Sequence, residues 1–463
     1  MGKDRIPLSI PPQADKWKII NSLTDAMTGL EKPNTGLHYI HYDKATCIGG
    51  SSCLKVCPTL AIRIKNGKAA RNEDFCIGCG ECVRVCQEAA VTAATANIDR
   101  LDTDEISVAL VTPVLYAQFP GVMPEDILMG LRGLGFQHTV DMSYFLEMFQ
   151  YATEEFIVRN RTSRQSPWPL ISPVCPVVIR LIAFKFPSLM PNVLPLLRPV
   201  DLMAREVKQR IIKEYGVSED KVMLYYINPC PTKRGQVQHT SAGKKKETGI
   251  ALGINDIYAD LKHQIVHMQD ADQIPYARIR FDFEYCHTGN GPMWGLSGGE
   301  ITDMNIGNSL AVSGMDETIT YLAKIEMGLF SNLEYIEFRT CREGCLGGPL
   351  TAIDKYLAKS DVNKMIKMLG LGRRLSREKI LRQYEKGKFL TDKDPAKLIQ
   401  LFGSRTKPMS IETVQKVDEI LERIKGHDCS VCGAPTCRTF AEDVVKGEAS
   451  LDECLLLGGD KSC

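Results

Sequence analysis

Closely spaced cysteines are the residues of this sequence best suited to do chemistry. The chain has 463 residues and 17 cysteines, and many of the cysteines stand in tight clusters. The opening stretch, MGKDRIPLSIPPQADKWKII, lacks the apolar segment of a secretory signal. In a large chain without such a signal, clustered cysteines indicate metal ligands rather than disulfides. We therefore expect metal–thiolate centres in a protein of the reducing cytoplasm.

Two cysteine runs stand close to the N-terminus. The second run, CIGCGECVRVCQ, contains Cys76, Cys79, Cys82 and Cys86. Its C-x2-C-x2-C-x3-C spacing resembles that of bacterial two-cluster ferredoxins, in which three thiolates of a run hold one cluster and the fourth cysteine crosses to the other. The first run, CIGGSSCLKVCP, contains Cys47, Cys53 and Cys57. Gly50 occupies its second ligand position.

Pairing the two runs predicts one complete and one incomplete ligand set. The complete set, for a four-iron cluster, is Cys57, Cys76, Cys79 and Cys82. The incomplete set is Cys47, Cys53 and Cys86. The second cluster is therefore expected to have three irons, or four irons with a non-thiolate ligand such as Ser51, Ser52 or water. Zinc at these cysteines, or loss of the second cluster, is the alternative.

Another cysteine-rich unit closes the chain. In HDCSVCGAPTCRTFAEDVVKGEASLDEC the cysteines are Cys429, Cys432, Cys437 and Cys454. The segment resembles the small four-iron domain of corrinoid iron–sulfur proteins and of some hydrogenases. A short helix in TFAEDVVKG is predicted to return Cys454 to the other three thiols. Zinc is the alternative metal here, and Cys463 is expected to have no ligand role.

Four more cysteines occupy three central segments. They are Cys175 in PLISPVCPVVIR, Cys230 in LYYINPCPTKRG, and Cys341 and Cys345 in LEYIEFRTCREGCLGGP. Each segment begins with a predicted strand, and loops beyond the carboxyl ends of strands in an open α/β sheet converge on one crevice. Four thiols would then meet, which is the number that one four-iron cubane needs. Four buried free cysteines are the alternative.

Prolines and glycines beside these cysteines are predicted to shape their loops. Prolines flank both Cys175 and Cys230 and restrict the backbone there. Gly344, Gly347 and Gly348 are expected to let the backbone approach a bulky inorganic group.

The elements that must position these thiols are those of an α/β protein. Strands are predicted in ISVALVTP and over 169–172, 221–227 and 333–338. Helices are predicted in MPEDILMGLRGLGF, in YFLEMFQYATEEFIVRN, over 315–330, and as a short element over 16–30. A solvated loop is predicted over 240–249, and charged helices over 360–425.

The central segments resemble the catalytic domain of FeFe-hydrogenases. That family has three signatures: Thr-Ser-Cys-Cys-Pro, Met-Pro-Cys-x-x-Lys, and a Cys-x3-Cys followed by glycines. Here SPVCP at 172–176, NPCPTK at 228–233 and CREGCLGG at 341–348 stand in their places. The segments FPSLMPNVLPLLRPVDLMA and GLSGGE resemble two further parts of the family sequence. The resemblance covers residues 38–355.

With this resemblance, the sequence predicts a multidomain protein of mixed α+β and α/β class. A lead-in over 1–36 precedes a two-cluster ferredoxin-like domain over 37–100. A two-lobed α/β hydrogenase domain over 101–360, which carries the H-cluster, follows. A helical connector over 361–425 leads to the four-iron domain over 426–463.

The resemblance also implies an H-cluster and its chemistry. Cys175, Cys230, Cys341 and Cys345 would hold a four-iron cubane, and Cys345 would bridge it to a two-iron unit with CO, cyanide and dithiolate ligands. Lys233 would donate a charge-assisted hydrogen bond to a cyanide. Hydrogen would be split or evolved there, and the accessory clusters would carry the electrons. Maturases would supply the two-iron unit, and a ferredoxin or a signalling protein would be the redox partner.

Several residues depart from the family pattern. Val174 replaces a proton-relaying cysteine, Asn228 replaces a methionine, Arg339 stands near another methionine position, and Val200 stands where a glutamine usually bonds a cyanide. Because valine cannot carry a proton, we expect slow turnover. Similar departures occur in branches of the family assigned to hydrogen sensing, so a sensory role is also expected.

Polar candidates for a substitute proton relay are Glu300, Cys286 and His287. A solvent-exposed acid at the start of a helix is the alternative interpretation of Glu300. A non-enzymatic iron–sulfur assembly protein, or an electron-transfer subunit without the two-iron unit, is the alternative for the whole chain. The net charge of +1 and the lack of a long apolar run favour neither nucleic-acid nor membrane binding.

Overall fold

The computed structural model describes residues 40–93, 101, 104–233, 249–270, 291–370, 372–373, 375–391, 396, 398–400, 409–424 and 426–457. The helix predicted over 16–30 and nearly all of the loop predicted over 240–249 lie outside these residues. Within them, no helix is long and apolar enough to cross a bilayer.

The N-terminal unit is small and is built from two antiparallel strand pairs. Its strands are β1 (Ile40–Tyr42), β2 (Ile62–Lys65), β3 (Lys68–Arg71) and β4 (Val91–Ala93). β1 pairs with β4, and β2 pairs with β3. Its short helices are α1 (Ser52–Lys55) and α2 (Glu81–Val85). Both helices carry cysteines, so the core of the unit consists largely of thiols and a few aliphatic side chains.

A four-stranded parallel sheet forms one lobe of the central domain. Its strands are β5 (Ile106–Val111), β6 (His138–Asp141), β8 (Val222–Asn228) and β9 (Gly249–Gly253), in the order β6-β5-β8-β9. Successive side chains of β5 face opposite sides: Val108 and Leu110 enter one core, whereas Ala109 and Val111 enter the other. The sheet is thus covered on both faces, as all-parallel sheets normally are.

A three-stranded parallel sheet forms the other lobe. Its strands are β7 (Leu170–Ile171), β10 (Ser309–Ser313) and β11 (Tyr335–Arg339), in the order β10-β11-β7. Ile336 and Phe338 of β11 are buried in a core that also contains Ile77 of the N-terminal unit. Arg180 donates to the carbonyl oxygen of Ile77 over 3.1 Å. The N-terminal unit is therefore anchored in the core of this lobe.

Helices pack around the two sheets. They are α3 (Pro124–Gly133), α4 (Ser143–Ser163), α5 (Pro176–Lys185), α6 (Pro199–Tyr215), α7 (Ile254–Asp270) and α8 (Met315–Glu326). The connector contains α9 (Lys355–Leu369), α10 (Arg377–Glu385) and α11 (Ile411–Ile424). The mixed α/β class with two lobes is confirmed.

The C-terminal unit is formed by α11 and α12 (Cys437–Val445). Thr436 begins α12 with a reciprocal capping box with Thr439. Ile424, Ala434 and Phe440 form its small core, against which Cys432, Cys437 and Cys454 pack. With so few aliphatic residues, the unit depends on whatever its cysteines bind.

Candidate metal centres

The four central cysteines lie just beyond the carboxyl ends of three strands. Cys175 follows β7, Cys230 follows β8, and Cys341 follows β11. Cys345 lies in the 3-10 turn Gly344–Gly347 that comes next along the chain. β7 and β11 belong to one sheet and β8 to the other, so both lobes contribute thiols.

These thiols are close enough to influence one another's ionisation. Burial is the main cause that raises the pKa of Cys341, and Cys230, Cys345 and Cys175 raise it further, whereas Arg84 lowers it. Each thiolate disfavours the next, so four neighbouring thiols ionise together only when positive charge lies among them. Such a set of donors fits a metal cluster.

The part of the chain that the structure describes contains no three His, Cys, Asp or Glu side chains placed as the ligands of a single metal ion. Zinc draws its thiolates to about 2.3 Å from one point. A cubane has an iron at each corner, so its thiolates surround a larger body. A cubane site therefore does not require its thiols to meet at one point.

Polar side chains point at two of the central thiols. Arg84 Nη2 donates to Cys341 Sγ over 3.3 Å. Thr232 Oγ1 lies 2.6 Å from Cys230 Sγ. Hydrogen bonds to ligand sulfur stabilise the thiolate and tune the potential of an iron–sulfur centre.

The glycines around Cys345 contact protein backbone. Cβ atoms placed on Gly344, Gly347 and Gly348 would lie 2.1–2.5 Å from carbonyl oxygens of neighbouring segments. At Gly348 that oxygen belongs to Pro229, directly before Cys230. The expectation that these glycines let the backbone approach an inorganic group stays a prediction. Their missing side chains let the loop of Cys345 close against that of Cys230.

A buried cluster of charged residues lies beside the thiols. Glu300 is 0% exposed and accepts hydrogen bonds from Tyr335 Oη over 2.5 Å and from Arg339 Nη2 over 2.7 Å. The interpretation of Glu300 as a solvent-exposed acid is therefore wrong. Arg339 Nε lies 3.4 Å from Glu337 Oε1. Burial raises the pKa of Glu337 to about 7; Arg339 opposes that shift and Glu300 adds to it.

Within the part of the chain that the structure describes, Nε and Nη1 of Arg339 are buried and make no hydrogen bond. Nε still lies 3.4 Å from Glu337 Oε1, whereas Nη1 has no such neighbour. Burial alone would lower the pKa of Arg339, but Glu337, Glu300, Cys345 and Cys175 together raise it. An unpartnered buried donor costs about 1–3 kcal/mol. The atom therefore fits an anionic acceptor located near Cys345 and Cys175.

The other departures from the family pattern have local roles. Val174 is half-buried and packs against the core that contains Val200. Asn228 accepts from the backbone N–H of Cys230 over 3.1 Å and donates to the carbonyl oxygen of Tyr226 over 3.1 Å. The Asn228 amide thus stabilises the turn that presents Cys230. The side chain of Lys233, and all of Cys286, His287 and Cys463, lie outside the described residues.

The N-terminal thiols fall into two groups. A cavity of about 20 Å³ is lined by Cys57, Cys76, Cys79 and Cys82. Burial raises the pKa of Cys53, and Cys47 and Cys86 raise it further. The first group has the members of the predicted complete set, and the second those of the incomplete set. A Cβ placed on Gly50 would have no heavy atom within 4 Å.

The C-terminal thiols line a common cavity. Its volume is about 90 Å³, and it contains Cys429, Cys432, Cys437 and Cys454. The backbone N–H of Asp428 donates to Cys437 Sγ over 3.2 Å. The structure thus brings all four predicted ligands together.

Sequence reasoning missed Arg84, Tyr335 and Glu337. Arg84 is a basic residue inside the ligand run between Cys82 and Cys86, which is a detectable signal. Glu337 and Arg339 alternate with buried apolar residues in β11. Opposite charges in a strand that is otherwise apolar indicate a buried ion pair.

Comparisons with known proteins agree with this division of the chain. Residues 39–87 match the family model of the 4Fe-4S dicluster domain. Residues 105–349 match that of the iron only hydrogenase large subunit, C-terminal domain. Residues 426–456 match a model for an Fe-S cluster domain.

Solved FeFe-hydrogenase structures are also similar to the chain. One is a structure that revealed stepwise H-cluster assembly in an FeFe-hydrogenase. Its sequence is 14% identical to this chain and its TM-score is 0.46; the match covers 62% of this chain and 91% of the hydrogenase chain. Another, a variant of an FeFe-hydrogenase from Chlamydomonas reinhardtii, is 13% identical with a TM-score of 0.45, and the coverage is again 62% and 91%. Because the hydrogenase model matches more than half of the residues, the chain belongs to the iron-only hydrogenase family.

Proposed function

We propose that the protein interconverts hydrogen with protons and electrons at an H-cluster held by Cys175, Cys230, Cys341 and Cys345. The observation that supports this best is the meeting of these thiols from three strand ends. When bound, the two-iron unit would supply the heterolytic chemistry of hydrogen, and Cys345 would be the cysteine that holds it. The residues around the site are proposed to bind the anionic ligands of this unit and to carry protons.

Apolar side chains line part of the proposed site. Trp294 is buried, and its ring centroid lies 6.0 Å from Arg339 Cζ. Leu346 beside Cys345 is fully buried, and Val174 adds an apolar surface beside Cys175. In such a site hydrogen bonds to anionic ligands are stronger than in water.

Two cationic side chains are proposed to bind the anionic ligands of the two-iron unit. Arg339 Nη1 is a buried donor without a hydrogen-bond partner among the described residues. Lys233, in the motif shared with the family, is the second donor. Val200 offers no hydrogen bond where the family usually has a glutamine, so Arg339 compensates for that loss.

Proton movement is proposed to use the buried acids instead of the missing cysteine thiol. Glu300 has both carboxylate oxygens engaged, by Tyr335 and by Arg339. Glu337, whose pKa burial raises to about 7, holds a proton more readily. Cys286 and His287 remain proposed relay groups.

This relay is proposed to be slow, because Val174 cannot carry a proton and the ion pair of Glu300 must be disturbed at each transfer. Slow turnover suits a hydrogen sensor, in which the redox state of the clusters informs a partner protein. A ferredoxin or a signalling protein is the proposed partner, and maturases are proposed to deliver the two-iron unit.

The accessory centres are proposed to be iron–sulfur clusters. Four irons are assigned to the set of Cys57, Cys76, Cys79 and Cys82 and four to the C-terminal thiols. The set of Cys47, Cys53 and Cys86 is assigned three irons, or four with one non-thiolate ligand at the open position of Gly50.

Infrared spectroscopy of the matured protein tests this function. CO and cyanide stretching bands are expected, and Cys345→Ala should abolish them while leaving the accessory-cluster EPR signals. Cys454→Ala is the matched control: it should remove one accessory signal and keep the bands. If the wild-type protein showed only cubane signals, an assembly or electron-transfer role without the two-iron unit would replace the proposal.

A further inference from the structure

The C-terminal unit is docked on the free edge of β2. The backbone N–H of Ile64 donates to the carbonyl oxygen of Gly433 over 2.8 Å. Lys65 Nζ donates to the carbonyl oxygen of Glu448 over 3.0 Å. A strand edge that would otherwise offer unpaired backbone groups is therefore covered by the C-terminal unit.

A buried ion pair fixes the same contact. Arg63 Nε lies 2.5 Å from Asp443 Oδ2, and Arg63 Nη2 lies 3.1 Å from Asp443 Oδ1. The two side chains are 18% and 6% exposed. A bidentate pair with so little exposure is strong and has one preferred geometry.

Gly433 allows the closest approach of the two units. Its φ is +80°, and a Cβ there would lie 2.0 Å from the carbonyl oxygen of Ile64. No other residue type fits this position without moving the loop. The loop that carries Cys432 is therefore pressed against β2.

The chain just before Ile64 contacts a thiol of the N-terminal unit. The backbone N–H of Ala61 donates to Cys57 Sγ over 3.2 Å. From Ala61 to Ile64 the extended chain spans about 10 Å. A continuous path of covalent and hydrogen bonds thus joins Cys432 to Cys57 through Gly433, Ile64 and Ala61.

We propose that this contact is an electron route between the C-terminal cluster and the cluster at Cys57. A single electron passes from the reduced cluster to the oxidised one; no covalent bond breaks and no proton moves. Hydrogen oxidation or an external one-electron reductant supplies the electron. The inference rests on the iron–sulfur part of the proposed function and does not require the two-iron unit.

The Cys57 set is well placed to receive that electron. Ile77, which stands between Cys76 and Cys79, is buried in the core of the central domain. The Cys57 set therefore contacts the C-terminal unit through β2 and the central domain through Ile77. The route bypasses the incomplete set of Cys47, Cys53 and Cys86, which lacks one thiolate.

EPR of the unmatured, dithionite-reduced protein tests the route. Two reduced clusters in close contact are magnetically coupled, so we expect wild-type signals broadened relative to the sum of isolated clusters. Arg63→Asp or Asp443→Arg should remove the broadening, and the double exchange of both residues should restore it. Asp418→Asn, which alters an exposed pair with Arg438 on the same unit, is the control that should change nothing. Iron content should stay constant throughout.

Several results would overturn the proposal. They are a wild-type spectrum that equals the sum of independent clusters, broadening that survives both single exchanges, and zinc in place of iron at the C-terminal cysteines. The milder Asp443→Asn, which keeps the side-chain shape, replaces any exchange that loses iron, and it too should reduce the coupling. Infrared bands of the matured protein report on the H-cluster separately, so the two proposals fail independently.

Discussion

Arg84 is expected to set the potential of the cubane proposed at the central thiols. Its guanidinium donates to Cys341 Sγ over 3.3 Å and is held in place by Glu81, whose Oε1 lies 2.6 Å from Nη1. Reduction adds negative charge to the cubane and its thiolates. A fixed positive charge at the ligand sulfur therefore favours the reduced state and raises the midpoint potential.

The size of the effect follows from Coulomb's law. One added charge at about 6 Å in an effective dielectric of about 20 interacts by about 3 kcal/mol. The Arg84 side chain is 30% exposed, so solvent screening reduces this value to roughly 1–2 kcal/mol. For a one-electron couple that corresponds to about 40–90 mV.

The assay is an EPR-monitored redox titration of the unmatured protein. Arg84→Gln should lower the midpoint potential of the cubane by this amount, whereas Arg84→Lys should recover much of it. The C-terminal cluster, with its own signal, should keep its potential in all three proteins. An unchanged cubane potential in Arg84→Gln, or equal shifts in the Gln and Lys variants, would refute the reasoning.

Three further outcomes are expected. Gly50→Cys should make the cluster of the incomplete set resistant to iron chelators, because the new side chain meets no heavy atom within 4 Å; equal lability in both proteins would contradict this. Val174→Cys should speed hydrogen evolution from a reduced viologen on the order of 10²-fold, and Val174→Ala is the control. An unchanged rate in Val174→Cys would mean that protons already reach the site by another route. Glu337 should show a protonated carboxyl band in infrared difference spectra below its pKa of about 7. The folded-state pKa exceeds the ordinary value, so the stability contributed by the protonated form is present below the ordinary pKa and is lost as pH rises through about 7. The charged neighbours of this carboxyl group are Arg339 and Glu300. A band that persists at pH 9, or that remains in Glu337→Gln, would show the assignment to be wrong.

Much of the fold was predictable because its signals are local. β5 and β8 are apolar runs, β11 alternates apolar with charged residues, and the structure has all three near the predicted bounds. The helix predicted over 315–330 is shorter, since α8 ends at Glu326 and Met327 leads into a turn. The strands β10 and β6 carry few consecutive apolar residues and were not predicted from periodicity.

The thiols were predictable from spacing, but their surroundings were not. Cysteine runs encode ligand sets within a dozen residues, so no tertiary information is needed. The contacts of Arg84 with Cys341, and of Arg63 with Asp443, join segments 257 and 380 residues apart. Burial of Glu300 likewise depends on Tyr335 and Arg339 arriving from β11. Such pairings follow from packing, which a single sequence does not reveal.

The burial of Ile77 in the central domain affects how the protein folds and whether its domains are stable when separated. This residue is 1% exposed, and burying its side chain contributes about 1.5–3 kcal/mol. The side chain between Cys76 and Cys79 thereby fills a space in the core of the three-stranded lobe. Folding of the loop between Cys76 and Cys79 is thus coupled to packing of the core of the three-stranded lobe. Removing the ferredoxin-like segment would leave a cavity in the core of the central domain. It would also expose an aliphatic side chain on the removed segment.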